Sequence, residues 1–223
     1  MMRSLWTAAS GMKSQQTSLD TISNNLANIN TTGYKKERTE FQSLLYQTIQ
    51  EKTTDHEGNP KPIGAQVGLG VKVSAVSTEF EQGELTASTG DFDFAIQGNG
   101  FFMIEMPDGT TGYTRNGNFL MAINPNGGTT LTTADGYSVL DSNGKAITFD
   151  AATDTTRLSF DNYGNIFYKN AQGVIQPTGV RIGAAQFNNP SGLTKLGDSY
   201  FAESAASGNA RIEGQDAALS VSV

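Results

Sequence analysis

From Leu5 to Ile29 apolar residues return every seven positions, and this seam constrains the chain more than any other feature. Leu5, Met12, Leu19 and Leu26 form one row and Ala8, Gln15, Ile22 and Ile29 its companion; seven of these eight are apolar, with Gln15 the exception. Two such rows share one side of an α-helix and mark a helix that packs along other helices. Lys13, Ser14, Asp20 and Thr21 take the opposite side. About 28 helical residues would span about 42 Å. Everything after Val67 reads as β, so the sequence offers the seam no second long helix. An apolar stripe of that length is not left in water; spacing alone favours packing within its own domain, but with no second long helix to receive it, another chain or a missing segment is its natural partner.

The seam ends near Asn28-Ile29-Asn30, and Gly33 suits the left-handed backbone that follows many helix ends. Phe41, Leu44, Leu45 and Ile49, at i, i+3, i+4 and i+8, predict a shorter amphipathic helical piece, so residues 1–49 read as an N-terminal helical assembly segment. Residues 50–66 are polar and hold Gly58-Asn59-Pro60 and Pro62, which predicts a linker or extended loop. From Val67 the period becomes two. Val67, Leu69, Val71, Val73 and Ala75 predict a half-buried strand, and Phe92, Phe94 and Ile96 another. Phe101-Phe102-Met103-Ile104 is apolar on both faces, the pattern of a central strand. Turn dipeptides recur at Asp108-Gly109, Asn116-Gly117, Asp135-Gly136, Asn143-Gly144 and Tyr163-Gly164. The expectation is a mainly β chain with a long N-terminal α-helix: a β-sandwich or barrel-like outer domain over 67–203, a coiled-coil helix for assembly, and a flexible Ala/Gly/Ser-rich stretch over 204–223.

Little in the chain points to chemistry. Lys and Arg number 15 against 22 Asp and Glu, giving 15 − 22 = −7, a balance that repels nucleic-acid backbones and anionic membranes. With no Cys there is no disulfide framework, thiolate nucleophile or Cys-ligated metal. His56 is the lone histidine, between Asp55 and Glu57 in the polar loop, and one histidine is a poor basis for a triad or a metal site. Asp91 and Asp93 lie two apart; paired glycosidase carboxylates face each other from different elements, whereas neighbours on one segment brace a turn or face solvent. Gly98-Asn99-Gly100 leads into a strand, not into the helix that a phosphate-binding fingerprint requires. No run reaches the roughly 20 apolar residues of a transmembrane helix. Ser4, Thr7 and Ser10 interrupt any signal-peptide core after Arg3. The reading is a chain with no catalytic, cofactor or metal residues, that binds no nucleic acid and inserts in no membrane.

Several ordered motifs carry a resemblance. Met2-Arg3-Ser4-Leu5-Trp6-Thr7-Ala8-Ala9-Ser10-Gly11-Met12 resembles the start of flagellar basal-body rod and hook proteins. Asn24-Asn25-Leu26-Ala27-Asn28 followed by Thr32-Gly33-Tyr34-Lys35 is similar to that family's N-terminal signature. Phe41-Gln42-Ser43-Leu44-Leu45-Tyr46-Gln47 resembles the distal-rod branch of the family. Gln82-Gly83-Glu84-Leu85, the stretch from Asp93 through Gly98, Gly100 and Phe101 to Phe102, and Tyr113-Thr114-Arg115-Asn116-Gly117-Asn118-Phe119 look like its central blocks.

The resemblance implies a structural subunit that self-assembles through Leu5, Ala8, Met12, Leu19, Ile22, Leu26 and Ile29 into a helical tube, with the β-domain outside. It implies as partners other copies of the chain, proximal rod and hook proteins, the surrounding rings and the flagellar type III export apparatus. The location implied is the basal body, reached without a cleaved signal peptide. Residues 47–64 correspond to a segment associated in the distal rod with a straight, rigid shaft. Family members end in a long amphipathic helix after a Gly-Tyr-Leu-Glu-like block, which Ala218-Leu219-Ser220-Val221-Ser222-Val223 does not match; the expectation is that about 40 residues are missing and that the N-terminal helix, alone, is disordered or pairs promiscuously. A hook or proximal rod subunit and a carbohydrate-binding β-module are the alternatives.

Overall fold

The computed structural model of the chain describes residues 2–51, 64–124, 127–150, 153–170 and 173–213. It divides into two compact units, Met1–Asn30 with Lys35–Glu79, and Thr31–Tyr34 with Phe80–Val223.

The first unit contains α1 (Met2–Ala27), β1 (Glu37–Ser43), β2 (Tyr46–Gln50), β3 (Ala65–Gly68) and β4 (Val71–Thr78). β1 pairs antiparallel with β4 and β2 with β3. Two backbone bonds join the ladders end to end: Leu44 N–H donates to the Gly70 carbonyl at 2.9 Å and Leu69 N–H to the Leu45 carbonyl at 3.1 Å. Lys36 and Glu79 close the far end with an ion pair at 2.8 Å.

The helical piece expected around Phe41, Leu44, Leu45 and Ile49 is therefore a pair of strands. The i, i+3, i+4, i+8 spacing marks no buried face, because Phe41, Leu45 and Ile49 all stand exposed. The backbone is instead satisfied by partners 28 to 41 residues on, from Ser43↔Val71 to Glu37↔Thr78, a long-range pairing that local periodicity cannot report. The run expected as one strand from Val67 to Ala75 is two, β3 and β4. Both belong to the first unit, whose second segment runs to Glu79. Of the expected linker at 50–66, residues 52–63, with His56, lie outside the described residues.

The second unit contains β5 (Phe101–Glu105), β6 (Thr111–Thr114), β7 (Phe119–Ile123), β8 (Thr129–Thr133), β9 (Thr148–Phe149), β10 (Leu158–Phe160), β11 (Asn165–Lys169), β12 (Ile175–Arg181), β13 (Ala184–Gln186), β14 (Thr194–Gly197), β15 (Tyr200–Ala202) and β16 (Arg211–Ile212). Six strands form one sheet in the order β14-β15-β6-β5-β13-β16, and two three-stranded sheets run β7-β8-β9 and β10-β11-β12. These are open sheets; the barrel side of the sequence reading is not realised among the described residues. Asp91–Ile96 makes no regular strand, only a bridge from Asp93 to Asn118. Its phenylalanines still point inward together, Phe94 packing edge-on against Phe160 at 4.8 Å and Phe92 at 6.0 Å.

β5 shows why this unit holds. Successive side chains of a strand point to opposite faces. Phe102 joins one buried cluster with Phe119, Leu131, Val139, Ile147, Ile166 and Ile182. Phe101 and Met103 join another with Tyr113, Leu140, Phe187, Leu193 and Phe201. Ala184 and Ala185 on β13 divide the same way. The large sheet thus has a core on each face, which is what four consecutive apolar residues demand. Burying one Phe contributes about 1.5–3 kcal/mol, and β5 buries Phe101, Phe102, Met103 and Ile104 together.

Candidate assembly surface

α1 is a 26-residue helix whose packed face is not its apolar one. Its contacts are with β1 and β4, and the helix residues buried there are Ser14 and Thr21. Thr39 of β1 donates its hydroxyl to Thr21 Oγ1 at 2.9 Å, and Thr21 passes its own proton to the Thr17 carbonyl at 2.9 Å. Val71 N–H reaches Ser10 Oγ at 3.4 Å. Asn25 binds the backbone of Glu37 as a neighbouring strand would, donating Nδ2 to its carbonyl at 2.8 Å and accepting its N–H on Oδ1 at 2.9 Å. Small and polar residues at positions 10, 14, 17, 21 and 25 thus make one continuous stripe. The helix closes on Asn28, whose N–H reaches the Asn24 carbonyl at 3.1 Å and whose Nδ2 donates to Asn24 Oδ1 at 2.7 Å.

The seven residues of the seam all lie on the open side. Leu5, Met12, Leu19, Ile22, Leu26 and Ile29 are between 57 and 72% exposed, and Ala8 is exposed beside them. Covering six such side chains would contribute on the order of 10 kcal/mol gross, before the cost of association. The helix expected to be disordered or promiscuous for want of a partner is ordered here through its polar face, and the seam is left over.

The motif residues fall into separate places. Asn24, Asn25 and Asn28 end the helix and clamp it to β1, as above. Gly33, at φ 74, closes a turn in which Tyr34 N–H donates to the Thr31 carbonyl at 3.2 Å. Gly98 and Gly100 belong to a second knot built on Arg115. That guanidinium donates to the carbonyls of Ile96 (3.1 Å), Gly98 and Gly100 and to Gln82 Oε1 (2.7 Å), which also takes the Gly98 N–H at 3.1 Å. Arg115 thereby ties three motif blocks together and delivers Phe101 into the core. Burial pulls its pKa below the usual guanidinium value, yet an arginine keeps its charge. Apolar periodicity reports neither the Ser10–Asn25 stripe as a packing face nor Arg115 as a knot. The stripe's signal was its small residues recurring at i, i+4 and i+7.

Among the described residues, the groups weighed for chemistry do not converge. Asp93 takes a short hydrogen bond from Ser88 Oγ and braces the turn at Gly90. Among the described residues no three His, Cys, Asp or Glu are placed to hold a metal ion. No described helix is long and apolar enough to cross a membrane.

Known proteins match both units. Residues 5–35 match the family "Flagella basal body rod protein", and residues 95–168 the "Flagellar hook protein FlgE/F/G D1 domain". The flagellar basal-body rod protein FlgG of Borreliella burgdorferi is 41% identical over 211 residues, 93% of this chain and 76% of its own length. That of Caulobacter vibrioides is 43% identical over 214 residues, 95% of this chain and 78% of its own. The flagellar hook protein FlgE of Helicobacter mustelae is 42% identical over 144 residues, 62% of this chain but 30% of its own. With near-full-length identity of this order, set beside a helix that turns its apolar seam outward, the chain belongs to the flagellar basal-body rod protein family, that of FlgG.

Proposed function

We propose that this chain is a structural subunit of the distal part of the flagellar rod, polymerising into a rigid helical tube that carries motor torque to the hook. The observation that carries the reading is the exposed seam from Leu5 to Ile29 on a helix whose other face is already used. A surface that meets a different surface on the next copy, repeated without closing, gives an open filament. Such a subunit does mechanical work and turns over no substrate. Its neighbours in this reading are copies of itself, proximal rod and hook proteins and the surrounding rings. Its place is the basal body across the periplasm, reached through the flagellar export apparatus without a cleaved signal peptide. The match to a hook protein over 62% of the chain favours a hook subunit as the second reading.

Electron microscopy of basal bodies from a strain lacking the gene, beside the complemented strain, tests this. Rods that stop short of the distal section and hook are the expected result. Complete rods without hooks would move the assignment to the hook, and complete rods with hooks would remove it from both.

A further inference from the structure

We propose that Thr31–Tyr34 is an anchor by which the second unit holds the chain where it leaves the first unit and re-enters it. The four residues belong to the second unit, while Asn30 before them and Lys35 after them belong to the first. What seats them is a contact at Gly33. A Cβ there would lie 2.8 Å from the Asn116 nitrogen, 3.0 Å from the Arg115 carbonyl carbon and 3.1 Å from the Asn116 Cα. All three are backbone atoms, so no side chain can swing aside.

Nor can that backbone retreat. Asn116 N–H is held by Thr114 Oγ1 at 3.1 Å, and Thr114 is fully buried and donates to the Ser199 carbonyl at 3.2 Å. Asn116 Oδ1 takes the Asn118 N–H at 3.1 Å. Arg115 is fixed by the carbonyls of 96, 98 and 100. On the far side Gly117 presses so closely on the Phe94 carbonyl oxygen that no Cβ would fit between them. Residues 114–118 are therefore a rigid socket, and the turn at 31–34 is the piece that fits it. The contact brings the Thr-Gly-Tyr block against the Arg-Asn-Gly-Asn block. That the anchor would resist torsion in a rod rests on the function proposed above; the anchor itself does not.

Trypsin reads the anchor directly, because Lys35 and Lys36 follow it. In the full chain, Gly33→Ala adds both left-handed strain and the clashing Cβ, Gly33→Asn keeps the clash on a residue that tolerates φ 74, and Gly109→Ala adds strain at φ 72 with nothing within 4 Å. Cleavage at Lys35 and Lys36, followed by mass spectrometry, is expected to speed up about tenfold in both Gly33 variants, since cleavage follows the population of the opened state. Gly109→Ala is expected to match the parent there, and the near-ultraviolet dichroism of the second unit's tyrosines to persist in all. Parent-like cleavage of Gly33→Asn would overturn the proposal. So would equal acceleration by Gly109→Ala, or loss of the tyrosine signal in the Gly33 variants, which would make Gly33 a general folding residue.

Discussion

Asp198 and Ser199 carry the turn between β14 and β15 at φ 48 and 63, a two-residue loop of the kind that glycine and asparagine usually fill. Left-handed backbone costs an ordinary residue about 1–2 kcal/mol, more than the about 0.4–1 kcal/mol of unfolded-chain entropy that a glycine adds. Ser199→Gly should therefore stabilise the second unit by a few tenths to about 1 kcal/mol, raising its melting temperature by a few degrees. Calorimetry that shows no rise would mean the serine is not strained.

Two tyrosines set an alkaline limit. Burial pushes the Tyr113 phenol up to about 12, with Glu203 adding to it; burial, then the hydrogen bond to Asp135, pushes Tyr200 up to about 12. A group whose folded pKa is raised lends its full stability below its ordinary value near 10 and loses it as pH climbs toward the folded value. The second unit should hold its melting temperature up to about pH 10 and lose stability between about 10 and 12. Tyr113→Phe with Tyr200→Phe should flatten that fall, whatever its effect at neutral pH. At this scale the sequence located the motif residues but not their tasks. Asn25 could be seen as part of a signature; that it binds Glu37 like a strand depends on a partner twelve residues away.

Among the elements, α1 and β5 were legible because their patterns are local. The heptad repeat marks a helix, though its apolar side stands exposed in the single chain, and the four-residue apolar run marks a strand buried on both faces. β1 and β2 were not, since Glu37–Ser43 is held by Val71–Thr78 and its apolar residues are scattered at helix-like spacing. Nor could the packed face of α1 be read from hydrophobicity, which scores neither the hydrogen bonds of buried Thr21 to Thr39 and Thr17 nor the small size of buried Ser14. Asn25→Ala tests this. It removes both bonds to Glu37 and should cost the first unit about 1–3 kcal/mol, seen as a lower urea midpoint by dichroism at 222 nm. Ser23→Ala, on an exposed helix position, should leave the midpoint in place. If the two variants behaved alike, the clamp would be incidental to holding the helix.

At the scale of the molecule, the two faces of α1 separate folding from assembly. The polar stripe fixes the helix to β1 and β4, and the seam is exposed whether or not the stripe is satisfied. Damage to the seam should therefore leave the subunit intact and its polymer weak. Leu19→Ser with Leu26→Ser removes two large side chains that are 63 and 67% exposed, so the monomer's melting curve should shift little. Covered in an assembly, the same two residues would contribute about 3–6 kcal/mol per subunit, a loss that each added copy repeats. The expected outcome is a protein with the parent's dichroism and melting temperature, exported normally, that fails to restore swimming or distal rods to a deletion strain. A variant that unfolds would place the leucines in the core of the subunit. A stable variant that swims would move the assembly contacts off the seam, leaving Met2 and Trp6, exposed on another side of the helix, as the next residues to change.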